Sequence, residues 1–163
     1  MQTNNREMTG QQAFQRLAAL CARGEHCQHD MLEKMRQWGV SDDEQAEVMA
    51  RLVDGKYVDD ERYARAFVRD KIIYNKWGRR KVEQALWAKR IDSDISQRVL
   101  DEIDDETYVG ILRPMLRQKR RSTKAQGEYE LTTKLIKFAM GRGFTMDIIR
   151  QCIEVDDESE FPD

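Results

Sequence analysis

Three small groups of residues have types and spacings that could do chemistry. Cys21, His26, Cys27 and His29 are four side chains of the kind that bind zinc. Asp59 and Asp60 are adjacent carboxylates, able in principle to hold a metal or relay a proton. Residues 74–91, YNKWGRRKVEQALWAKRI, set Trp77 and Gly78 against three consecutive cations, Arg79, Arg80 and Lys81. The first two groups have simpler readings. The cysteine–histidine spacing matches no established zinc site and straddles an expected helix boundary, so structural roles are favoured. Asp59 and Asp60 stand where a helix should open, and free N–H groups and the helix dipole favour carboxylates there. Glycine-rich phosphate loops, nucleophile elbows and histidine-centred triads are absent from the sequence. The chain is therefore expected not to be an enzyme, and to have no catalytic residue, metal ligand or cofactor.

The cations are harder to dismiss. Arg79, Arg80 and Lys81 fall in the first turn of a predicted helix, where the dipole prefers anions, at a cost of a few tenths of a kcal/mol per charge (about 0.3). Such placement points either to an external anionic partner or to a solvated face. Arg65, Arg69 and Lys76 belong to the preceding helix and turn, and a helical hairpin would gather them beside Arg79 and Arg80. Trp77 could stack on a base, fill a partner's pocket, or cover the start of its own helix. A second basic run, RQKRRSTK at 117–124, has no apolar residue and supplies Arg117, Lys119, Arg120, Arg121 and Lys124. Phosphate contact is plausible for it, although cations near a helix C-terminus are also favoured by the dipole.

Over all 163 residues the formal net charge is only −2, but the charges are in blocks. Residues 62–90 are mainly basic, 92–106 mainly acidic, 113–124 purely basic and 154–163 purely acidic. The average thus hides two cationic surfaces. Three cysteines at unrelated spacings do not form a secreted disulfide framework, so reduced thiols are expected. The N-terminus lacks a signal-peptide core, and no run of about 18 apolar residues occurs. A soluble, cytoplasmic protein follows, with no membrane partner.

What must position these residues is helical. Charged residues make up 36% of the chain and prolines number two, a balance that suits surface-rich helices. Apolar residues recur at helical spacing near 10–23, 27–38, 42–54, 60–75, 77–89, 93–103, 106–121, 127–141 and 145–155. The pattern also repeats. Met31, Met35 and Val40 match Val82, Leu86 and Ile91, then Leu135, Ala139 and Phe144, at offsets of 51 and 53 residues. The joints GVS, RID and GFT each end in a good N-cap, Ser41, Asp92 or Thr145, and Ser41 with Glu44 spells a capping box. Gly39 and Gly143 suit a left-handed helix end, whereas Arg90 would be strained there or would end its helix differently. Pro114 should kink its helix or delay its start. The expected fold is all-α: three tandem three-helix repeats forming an elongated, curved array. Its divisions are 1–57 for an N-terminal segment and the first repeat, 58–104 for the second, 105–155 for the third, and 156–163 for an acidic, disordered tail.

The stretches YVDDERYARAFVRDK (57–71) and NKWGRRKVEQALWAKRI (75–91) resemble the central signature of the RecX family, bacterial regulators of RecA recombinase. Asp59, Asp60, Arg62, Tyr63 and Ala64 occupy its first motif, and Gly78, Arg80, Val82, Leu86, Lys89 and Ile91 its second. Arg90 stands where the joint usually has glycine. The resemblance implies a monomeric protein that binds the RecA filament on single- or double-stranded DNA and restrains ATP hydrolysis and strand exchange. The contrasting expectation is a stand-alone DNA-binding module of helix-turn-helix type, although residues 82–89 offer few side chains suited to reading base edges.

Overall fold

A computed structural model describes residues 8–159 of the chain, with side chains for residues 8–153. Among the described residues there are nine α-helices and no strand: α1 Gly10–Cys21, α2 Gln28–Gln37, α3 Asp42–Asp54, α4 Asp60–Ile73, α5 Arg79–Ala88, α6 Ser93–Asp101, α7 Asp105–Ser122, α8 Glu128–Gly141 and α9 Met146–Ser159. They form three successive triplets.

The repeat read from the apolar pattern is a repeat of burial. Met31, Val82 and Leu135 are buried, as are Met35, Leu86 and Ala139, then Val40, Ile91 and Phe144, then Val48, Val99 and Cys152. Its joints repeat in backbone as well. Gly39, Arg90 and Gly143 all take positive φ, 72°, 56° and 94°. Arg90 therefore adopts the glycine conformation without being glycine, at a cost of about 1 kcal/mol. Ser41 and Thr145 accept from the N–H groups of Glu44 and Ile148, and Asp92 accepts from Asp94. At the first and third joints the helix closes by paired reverse bonds, Val40 to Met35 with Gly39 to Arg36, and Phe144 to Ala139 with Gly143 to Met140.

The chain divides into two compact units. One holds the residues up to Ala66 together with Trp87–Ser96, and the other holds Phe67–Leu86 and the chain from Gln97 onward. Repeat and compact unit are thus different divisions, since the central triplet contributes residues to both. In the first unit Leu17, Met31, Met35, Val48 and Leu52 form the centre of one apolar cluster, with Phe14 and Trp38 against it. In the second, α7 packs on both α8 and α9, and Leu112, Leu116, Leu135, Phe144 and Ile149 are buried.

Two local expectations need correction. Ser41 and Glu44 do not complete a capping box, because the Glu44 carboxylate accepts instead from the Gly10 N–H at 2.7 Å and ties the start of α1 to α3. A full capping box forms at α1, between Thr9 and Gln12. Pro114 does not delay α7, which runs unbroken from Asp105 to Ser122. The carbonyl four residues back belongs to exposed Gly110, where solvent can replace the missing bond. Helix α9 runs to Ser159, and residues 160–163 of the acidic tail lie outside the described residues.

Candidate nucleic-acid interface

Between α4 and α5 the chain turns sharply. The N–H groups of Tyr74 and Asn75 donate to the carbonyl of Asp70, and that of Trp77 to Lys71, with Lys76 between them at a left-handed φ of 57°. Gly78 then meets the α8–α9 joint. Its N–H donates to the Arg142 carbonyl at 2.8 Å, and the Arg80 N–H to the Gly143 carbonyl at 2.9 Å. A Cβ on Gly78 would overlap the backbone of Gly143 and Phe144, and one on Gly143 would overlap Lys81. The Arg142 guanidinium donates to the carbonyls of Asn75 and, more weakly, Lys76, at 2.7 and 3.4 Å. This arginine fixes the turn that carries Lys76.

The same arrangement opens a cleft of about 290 Å³, lined by Lys76, by Met115, Gln118, Lys119 and Ser122 of α7, and by Phe138 of α8. Among the described residues no acidic side chain lines it. The Lys119 ammonium lies 5.1 Å from the centre of the Phe138 ring. Two ammonium groups, an amide and a partly exposed aromatic face suit a phosphate with a base stacked beside it.

The two predicted basic clusters thus meet through one residue each, Lys76 and Lys119. Other candidates are placed differently. Arg79 turns onto α6, where its guanidinium donates to Asp101 at 2.8 Å and to Gln97 at 2.9 Å. Gln97 also donates to Glu83 of α5, so Arg79 belongs to a network joining α5 and α6. Trp77 is half-buried, with the ammonium groups of Lys81 and Lys71 at 4.6 and 5.1 Å from its ring centre. Arg120 pairs with Glu128 at 3.6 Å. Arg65 lies in the first unit, 3.9 Å from Glu61. Arg69, Arg80, Arg117, Arg121 and Lys124 are exposed. Phe138 and Arg142 were not singled out in the sequence: Phe138 reads there as part of an apolar helix, and Arg142 as an isolated surface charge.

Both aspartates of the 59–60 pair act as caps. Asp59 accepts from the Arg62 N–H of its own helix at 3.0 Å. Asp60 reaches the Gln28 N–H at 2.9 Å, in the first turn of α2, whose N-cap residue Cys27 makes no side-chain capping bond. Burial raises the Asp60 pKa above the usual carboxylate value. It also pushes the Cys27 thiol up to about 11, which leaves it a protonated, unreactive thiol.

Residues 59–100 match the second three-helix domain of RecX, and residues 106–153 the third. The Regulatory protein RecX of Acinetobacter baylyi is 28% identical over 154 residues, covering 93% of this chain and 92% of that protein. That of Vibrio campbellii is 28% identical over 142 residues, 85% of this chain and 88% of the other. The crystal structure of RecX from Lactobacillus salivarius has the same fold, with a TM-score of 0.82 at 20% identity over 91% of this chain and 96% of that one.

Proposed function

Since the chain belongs to the RecX family, we propose that it is a non-enzymatic regulator, acting as a cytoplasmic monomer, that binds the RecA–DNA filament and restrains ATP hydrolysis and strand exchange. One observation supports the DNA-facing part of this reading above the others: the cleft, free of acidic side chains among the described residues, in which Lys76 and Lys119 line up with Phe138. A regulator of this kind needs no chemistry of its own. Binding one conformational state of the filament more tightly than the others slows any cycle that must leave that state. Lysines at the cleft supply attraction to phosphate that is independent of base sequence, as a ligand of a long nucleoprotein filament requires.

The test is the DNA-dependent ATPase of RecA, measured with substoichiometric wild-type protein and with Lys76→Glu/Lys119→Glu. Both lysines are exposed, so the variant should keep its helical circular dichroism. Wild type should inhibit, and the double variant should need about ten-fold more protein for the same effect. An ATPase indifferent to the wild-type chain would overturn the proposal. Tight, sequence-specific DNA binding without any effect on RecA would establish the helix-turn-helix module instead.

A further inference from the structure

A second surface lies in the first unit, at the end of α5. Trp87 is 80% exposed, and with Ala88, Arg90, Ile91 and Ser93 it lines an open pocket of about 390 Å³. The internal repeat makes the site conspicuous. Residues equivalent to Trp87 are Arg36 and Met140, and those equivalent to Arg90 are Gly39 and Gly143. Only the central triplet puts a large aromatic at the first position and a cation in the left-handed backbone at the second.

Neither choice is explained by folding. Trp87 is largely in water, and glycine would relieve the backbone at 90. The support beneath them is firm: the Arg90 N–H donates to the Trp87 carbonyl at 2.9 Å, and adjacent Lys89 is anchored to both oxygens of Asp30 at 3.0 and 3.2 Å. Arg90 itself is exposed and makes no ion pair among the described residues.

We infer that Trp87 and Arg90 form a docking site for a protein segment that sets an apolar side chain beside a single carboxylate. The indole, Ala88 and Ile91 take the apolar group, and the Arg90 guanidinium takes the carboxylate, a combination typical of residues that dominate protein interfaces. Charge complementarity favours a protein over a nucleic acid. Exposed Asp92 and Asp94 flank the pocket. A single carboxylate on Arg90 can avoid them, whereas a backbone with a charge at every nucleotide meets repulsion on each side. The inference rests on the filament reading, and assigns this surface to the filament's protein component.

The test uses the full chain and its Trp87→Ala and Arg90→Gly variants, titrated onto RecA filaments on single-stranded DNA and onto the same DNA without RecA. Each variant should lose about ten-fold in affinity for the filament and remain within two-fold of wild type on bare DNA. Arg90→Gly should at the same time unfold at a higher temperature, so its weaker binding cannot be a folding defect. Filament binding within two-fold of wild type by both variants would overturn the inference and leave the filament reading intact. Equal losses on bare DNA would overturn it in favour of a nucleic-acid site. Failure of the wild-type chain to bind filaments would remove the reading beneath it.

Discussion

At Gly78 the absence of one methyl group decides whether α5 can begin against the α8–α9 joint. Gly78→Ala places a Cβ on the backbone of Gly143 and Phe144, which cannot rotate away as a side chain can. Overpacking of this kind costs about 3 kcal/mol, a large share of a domain's stability, and should also weaken the Arg80 N–H bond to Gly143. Gly24→Ala is the control, since its Cβ meets nothing within 4 Å. Urea denaturation should separate the two by that amount, and equal midpoints would show that the joint yields. Sequence reading marked Gly78 as part of a cationic corner seeking an outside partner. Its partner is the chain itself, because a glycine looks alike in sequence whether it serves a turn or a close backbone approach. The Arg79–Asp101 pair was hidden for a related reason: the two lie 22 positions apart, and nothing short of the α5–α6 packing brings them together.

Among the elements, α7 carries the most evident local conflict. Gly110 and Pro114 both disfavour its interior, yet the helix is continuous because four apolar side chains, Tyr108, Val109, Leu112 and Leu116, are buried along it. Gly110→Ala should therefore stabilise the protein by about 1 kcal/mol: its helical backbone accepts alanine and its Cβ would stand in open space. Thermal unfolding followed by circular dichroism should show the rise, and a fall would mean that the freed carbonyl needs more solvent than alanine leaves it. Helix periods, caps and triplet register were legible because each depends on neighbours within a few positions. The lysine cleft was not, since it joins the α4–α5 turn to the last turns of α7 and to Phe138 of α8, three places whose proximity follows from how α7 and α8 pack in the second unit.

For the molecule as a whole, a net charge of −2 coexists with an acid-free basic run at 113–124 and with acid at 154–163. Global attraction to DNA is therefore weak, and binding has to come from local contacts. Such contacts have a thermodynamic signature. Each phosphate neutralised releases counterions, so log affinity falls with log salt by about 0.7 per contact on single strands. Lys76→Glu/Lys119→Glu should make that slope shallower by about one to two units on filaments, because it deletes phosphate contacts. Trp87→Ala should lower affinity at every salt concentration and leave the slope nearly unchanged, because burying an indole releases no ions. Titrations at several salt concentrations, read for slope and intercept separately, thus distinguish the proposed phosphate contacts of the lysine cleft from the proposed protein contacts at Trp87. A slope that the lysine variant leaves untouched would mean that Lys76 and Lys119 face solvent rather than phosphate in the complex, and the phosphate contacts would then have to be sought at the exposed Arg117, Arg121 and Lys124.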